Sequence, residues 1–175
     1  LCHMHFTEAI TDVSGLLEGT RQLGLEGIVV KELSSPYVEG KAHRFWWKLK
    51  HLKRQLAQIV GFSAEGSYVR SLMLGALKEG ELTFIGSAGS GLNSEVARRL
   101  FDELSVHRRD VPPLEVPENV DSQAVWCEPT LAVEVEFLEW TPEGQLRHPV
   151  IVDFPRVPLQ ECVVDPHSPA RGGNV

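Results

Sequence analysis

The order of extended and helical segments after Arg54 restricts the fold most. Gln55–Ser63 reads as a strand, and Arg70–Lys78 with Glu81–Ala88 reads as a hairpin turning at Glu79-Gly80. The glycine-rich stretch GSAGSG (Gly86–Gly91) then leads into a helix at Asn93–Leu104. Asn93 suits an N-cap, Glu95 places negative charge in the first turn, and Arg98 and Arg99 follow. Further on, LAVEVEFLEW (Leu131–Trp140) reads as one long strand. Within it Glu134 and Glu136 alternate with Val133, Val135 and Phe137, as on a half-solvated sheet. Thr141-Pro142-Glu143-Gly144 turns it into an extended Gln145–Val152. Ser105–Val120, holding Pro112, Pro113 and Pro117, is expected to be a linker or long loop.

Short strands with one helix inserted between them are the pattern of a small Greek-key barrel. The OB-fold is the commonest such barrel that binds nucleic acid. The texture before Arg54 differs. Residues 7–23 carry apolar side chains at Ile10, Val13, Leu16, Leu17 and Leu23 and read as an amphipathic helix that Gly24 stops. Gly27–Leu33 is rich in β-branched residues and reads as a buried strand. Ser34–Arg44 is a loop, and Phe45–Lys50 a second strand. Residues two apart on a strand share a face, so Lys48 and Lys50 point together, while Trp47 and Leu49 are expected to point into a core. The fold class expected is α+β, mainly β. Residues 1–52 would be a fragment of a larger α/β unit, 53–162 the barrel, and 163–175 a disordered tail. The start at Leu1 rather than Met also suggests a fragment.

Charge narrows the function. The chain carries a net charge of -7, so it is not a polycation that coats nucleic acid. Any such contact must come from a local patch. Lys41, Arg44, Lys48, Lys50, Lys53 and Arg54 form one, with no acid among them and with His43 and His51 in the same window. These cations interleave with Phe45, Trp46, Trp47 and Leu49, which argues for a structured strand rather than a solvated charge run. No stretch approaches the roughly 20 apolar residues of a membrane helix, and no signal peptide is visible. The cysteines Cys2, Cys127 and Cys162 are odd in number and form no CxxC. A disulfide framework or zinc site is therefore not expected, and a cytoplasmic location is.

A carboxylate at a strand end can hold a divalent metal, and two lysines on one strand face can grip one phosphate. Glu26 with Lys48 and Lys50 would in that way stabilise charge developing during nucleotidyl transfer. Ordinary strand lysines are the competing interpretation. GSAGSG lacks the Lys-Ser/Thr of a P-loop and is expected to be a tight strand-to-helix connection. Cys2, His3 and His5 have no further metal ligand nearby in sequence, and Trp126 and Trp140 are expected as core or rim aromatics.

Taken together, LEGIVVK and SPYVEGKAHRFWWKLK resemble motifs IV and V of the ATP-dependent DNA ligases, above all the bacterial ligase D type of non-homologous end joining. GSAGSG, WCEP, AVEVEFLEWTPEGQLRHP and ECV resemble the OB domain of that group. The resemblance implies the last strands of an adenylation (nucleotidyltransferase) domain followed by an OB-fold. It implies ATP and Mg2+ as cofactors, Glu26 as a catalytic residue and metal ligand, and Lys48 and Lys50 as catalytic lysines on the α-phosphate. Lys31 and Arg147 would help bind the nucleotide. Lys41, Arg44, Lys53 and Arg54 are expected to contact DNA. Duplex DNA with nicks or ends, and a Ku-type end-binding protein, are the partners implied. The family's nucleophilic lysine lies in KxDG, and this chain contains no KxDG, so alone it is expected to be inactive. The family's terminal motif also departs here: Asp153-Phe154-Pro155-Arg156-Val157-Pro158 offers an arginine without the usual acid and lysine after it. Phe45 replaces a small polar or acidic residue of the group. The alternative is a non-catalytic OB-fold that binds DNA through Lys41–Arg54.

Overall fold

The computed structural model describes residues 9–36, 39, 44–118 and 120–165. Cys2, His3, His5, His43 and Lys41 lie outside them, as does 166–175 of the expected tail. The chain divides into two compact units, Leu1–His51 and Leu52–Val175.

In the first unit, helix α1 (Val13–Gln22) is followed by β1 (Gly27–Lys31) and β2 (Trp46–Lys50), which pair antiparallel with Gly27 opposite Lys50. The helix begins later than the apolar spacing suggests. Asp12 is its N-cap, accepting from the Gly15 amide, so Ile10 stays outside. Gly24 adopts a left-handed φ just past the end, where the chain leaves the helix.

Two expectations fail in this unit. β1 is not fully buried: Val29 is 51% exposed, and Ile28 and Val30 are half-buried. Trp47 and Leu49 do not enter a core either, being 48% and 38% exposed. Both failures have one reason. A two-stranded sheet has too few neighbours to cover its faces.

The second unit is built on β3 (Lys53–Glu65), which is longer than its apolar stretch suggests. One edge of β3 pairs with β4 (Tyr68–Lys78), and β4 pairs with β5 (Glu81–Ala88) across the Glu79-Gly80 turn. Helix α2 (Ser94–Val106) follows, with the Asn93 side chain accepting from the Val96 amide as expected. Then come β6 (Arg108–Arg109), β7 (Val125–Cys127), β8 (Ala132–Phe137) and β9 (Val150–Asp153). The second edge of β3 is shared. Lys53–Gln58 pairs with β8, and Gly61 and Phe62 pair with β7. The register slips between Ile59 and Gly61 against β4, a bulge that bends the strand.

The path β5-β4-β3-β8-β9 returns on itself. A parallel bridge joins Ser90, just past β5, to Val150 of β9, and the Ile151 amide donates to the Ser90 carbonyl at 2.9 Å. The Leu146 amide donates to the Ile85 carbonyl at 2.7 Å and reinforces the same seam. This is the OB-fold arrangement. GSAGSG lies along the seam. Gly91 has φ +96°, and a Cβ there would sit 2.1 Å from the Ile151 carbonyl oxygen. The stretch is a tight strand-to-helix connection, and its last glycine also admits β9.

Phe62, Leu72, Leu74, Ile85, Val135 and Phe137 fill the interior, closed by Leu100 and Leu104 of α2. A second cluster of Val60, Met73 and Phe84 lies outside it, covered by Leu114, Val116 and Trp126. Ser105–Val120 is a long loop after Arg109 rather than a linker between units. It completes α2, supplies β6, and lays apolar side chains over the sheet. That cover explains why Ala57–Ser63 of β3 is buried without alternation. Trp126 and Trp140 pack as expected, Trp140 edge-on to Phe137 at 5.1 Å.

Two other boundaries differ from expectation. The long strand ends at Phe137, and Gln145–Val152 is not continuous. His148 takes φ +53°, which breaks the extension, so Leu146 and Arg147 pair back with Trp140 and Glu139 before β9 begins. Residues 163–165 are also held rather than loose. Val163 bridges to Leu77, the Val164 amide donates to the Leu77 carbonyl, and the Asp165 amide donates to Gln55.

Cys127 and Cys162 are free and buried. Burial pushes the Cys127 thiol up to about 12 from an ordinary 9.0. The unfolded chain therefore releases this proton first. The thiol's contribution to stability is intact below about pH 9 and is lost as pH rises toward 12. Native chain at about pH 8 is expected to leave Cys127 unmodified by an aromatic disulfide reagent, with full reaction after denaturation. Rapid native labelling at Cys127 would contradict this burial. Among the described residues no helix is long and apolar enough to cross a membrane.

Candidate nucleotide and phosphate site

The pairing of β1 with β2 builds this site. Gly27 has φ +148°, and a Cβ on it would meet the Leu49 carbonyl oxygen at 2.1 Å. Glycine after Glu26 is therefore what lets the two strands close here. The His51 amide donates to the Glu26 carbonyl at 2.9 Å and continues the ladder one step past the strand ends. Glu26 and Lys50 are thereby brought side by side, with Lys50 Nζ 2.9 Å from Glu26 Oε1. Both side chains are substantially solvated, so the pair adds little stability. Its importance is geometric.

Lys48 stands opposite Val29 and shares the strand face of Lys50. It has no ion pair among the described residues. Glu26, Gly27, Val29, Lys48 and Lys50 help line an open cleft of about 210 Å³. Lys31, at the far end of the same face, sits 4.0 Å from the ring centre of Trp46. A carboxylate and two ammonium groups at one cleft can grip a phosphate and share a cation with it.

Among the described residues Glu26 is the only acid lining that cleft, and no group of three His, Cys, Asp or Glu could enclose a metal alone. Mg2+ needs no such cage. It binds through one or two carboxylates, with substrate phosphates and water completing the shell. The donor set fits a magnesium ion held jointly with a nucleotide.

The other expected residues are dispersed. Arg44 stacks at 4.6 Å on Phe45 and is exposed, and Lys53 opens β3 opposite Phe137. Arg54 is gripped by Glu134 at 3.0 Å and by Glu136 at 2.8 Å, and the Glu136 contact is the leading reason its guanidinium is raised above the ordinary value. Its charge is already matched within the barrel. The β3–β8 register sets Arg54 opposite Glu136, giving the glutamate row a structural task that sequence reasoning did not assign. Arg147 pairs with Glu139 at 2.6 Å on the barrel surface. Arg156 is exposed, and the Asp153 carboxylate accepts from the Phe154 amide. Sequence reasoning also missed the bond between Thr20 Oγ1 and His51 Nε2, 3.0 Å apart. Its only signal was a histidine directly after the paired lysines.

The second unit, with a two-stranded sheet before it in the sequence, places the chain in the class of OB-fold proteins. The sequence profile described as "ATP dependent DNA ligase C terminal region" matches residues 65–156, and the chain belongs to that family. Among its relatives is the multifunctional non-homologous end joining DNA repair protein LigD of Mycobacterium tuberculosis, 37% identical over 134 residues. That match covers 73% of this chain and 18% of the relative. LigD of Pseudomonas aeruginosa is 31% identical over 147 residues, covering 79% of this chain and 17% of the relative. The chain thus spans about a fifth of these curated relatives. The crystal structure of the ligase domain of M. tuberculosis LigD superposes with a TM-score of 0.63 at 32% identity. It covers 85% of this chain and 50% of that domain. A mycobacterial DNA ligase D complexed with ATP gives a TM-score of 0.57 at the same identity, over 85% and 49% of the two chains.

Proposed function

We propose that this chain is the C-terminal part of an ATP-dependent DNA ligase of the end-joining type, with the end of its adenylation domain in residues 1–52 and its OB domain in 53–162. The observation that carries the reading is the Glu26–Lys50 pair, with Lys48 on the same strand face beside it. In the complete enzyme a lysine of KxDG, supplied by sequence outside this chain, takes AMP from ATP and releases pyrophosphate. AMP then passes to a 5′-phosphate of DNA, and the 3′-hydroxyl displaces it to join the strand. Lys48 and Lys50 bind the α-phosphate throughout and offset the charge that builds on it. Glu26 would hold magnesium, which would supply Lewis-acid stabilisation of the phosphate oxygens. Lys31 and Arg147 assist with the nucleotide.

The substrate in this reading is duplex DNA with nicks or ends. Lys41, Arg44 and Lys53 would each contact its phosphates, and Arg54 would contribute less because two glutamates already hold it. A Ku-type end-binding protein would deliver the ends, and the work would take place in the cytoplasm.

The test is covalent adenylation with labelled ATP and Mg2+. The 175-residue chain alone is expected to take up no label. The same chain continued upstream through a KxDG-containing segment is expected to become labelled and to seal a nicked duplex. Label on the isolated chain, or an extended chain that stays unlabelled, would overturn the reading. A plain DNA-binding module predicts duplex binding with neither activity.

A further inference from the structure

We propose that His51 is a positioning residue for the Glu26–Lys50 pair and that Thr20 of α1 is its anchor. The inference rests on the phosphate-site reading above. Thr20 is the one buried residue of α1, 8% exposed. Its hydroxyl lies 2.9 Å from the Leu17 carbonyl, back along its own helix. The same hydroxyl is 3.0 Å from His51 Nε2, a hydrogen bond whose direction follows the imidazole tautomer. The imidazole is thus tied to a buried hydroxyl on α1.

The backbone of the same residue reaches the site. The His51 amide donates to the Glu26 carbonyl at 2.9 Å. His51 follows Lys50 directly, and Glu26 precedes the glycine that faces Lys50. One residue therefore joins three elements: α1 through its ring, the Glu26 backbone through its amide, and the Lys50 strand through the chain. Past the last paired residues, strands fray readily. The ring anchor holds the final rung of the ladder closed, which keeps the Glu26 carboxylate and the Lys50 ammonium within 2.9 Å. His51 need not touch the nucleotide. It acts through the two groups it keeps in place.

The experiment uses the 175-residue chain with three variants, Thr20→Val, His51→Ala and His51→Gln. Glutamine carries an amide that can donate or accept at about the reach of Nε2, and valine keeps the shape of threonine without the hydroxyl. Amide hydrogen exchange at His51 is read alongside exchange in β3 and β4, and Mg-ATP is titrated while the Lys48 and Lys50 resonances are followed. Thr20→Val and His51→Ala are expected to speed exchange at the His51 amide by about tenfold or more. The barrel amides should stay unchanged, and the Mg-ATP response should weaken severalfold. His51→Gln is expected to restore both. Unchanged exchange at His51 overturns the proposal, as does faster exchange with an undiminished ATP response. A loss of protection spread through β3 and β4 also overturns it, since that reports general destabilisation. If wild type and Lys48→Ala alike show no ATP response, the phosphate-site reading has failed and the positioning role falls with it. If wild type responds and His51→Ala matches it, only the positioning role has failed.

Discussion

In the complete ligase that we propose, Lys48→Ala is expected to lower nick sealing by about 10²–10³-fold. Duplex binding should weaken far less, with the salt slope of binding falling by about one. The asymmetry follows from geometry. Lys48 shares its strand face with Lys50, yet Lys50 is engaged by Glu26 at 2.9 Å, while Lys48 has no ion pair among the described residues. Its charge is the one at the cleft not already offset by a neighbour. A group aimed at a phosphate whose charge grows during transfer acts mainly on the rate. A group that only tracks the DNA backbone acts mainly on affinity and its salt dependence. Sealing rates at saturating DNA and binding isotherms at several salt concentrations separate the two. Equal losses in rate and affinity would make Lys48 a backbone contact and remove it from the phosphate site.

Gly91→Ala is expected to destabilise the OB domain by roughly 2–5 kcal/mol, measured by chemical denaturation. Two terms add. The left-handed φ of +96° strains any residue with a side chain, and the new methyl would collide with the Ile151 carbonyl. That carbonyl belongs to β9, whose Ile151 amide makes the seam bond to Ser90. Relief of the collision requires β9 to move away from the Ser90–Gly91 seam. Ser90→Ala is the control. It sits in the same seam but contributes only its backbone to the bridge, and it should change stability by less than about 0.5 kcal/mol. An unperturbed Gly91→Ala would mean that the seam does not hold the barrel.

Local chemistry made some of this legible in the sequence and left the rest hidden. The Glu79-Gly80 hairpin, the Asn93 cap and the strand nature of Trp46–Lys50 depend on neighbours in sequence, and all three are present. The common face of Lys48 and Lys50 follows from the two-residue period of any strand. Features set by distant pairing were not legible. β6 and β7 are too short to show a period, and they form because β7 finds the middle of β3 and β6 pairs onto β7. The Arg54 clamp depends on a register between residues about eighty positions apart. Trp47 and Leu49 misled for the opposite reason: their alternation is that of a covered strand, but a two-stranded sheet offers little to cover them. The link from Thr20 to His51 carries no periodic signal, since a threonine inside a helix usually satisfies itself locally.

The sharing of β3 among three partners bears on how the chain acquires its fold. β4 and β5 follow β3 directly, so that meander can pair as soon as it is synthesised. The other edge of β3 waits for β7 and β8, with Arg54 and Glu134 eighty residues apart. Until then an apolar strand edge around Phe62 is open during translation, with only α2 and the loop after it available as cover. Closure of the ring, which the segment around Val150 completes, is therefore expected to come late. Conditions that delay the C-terminal third of this chain would therefore favour aggregation of a well-paired but unclosed sheet.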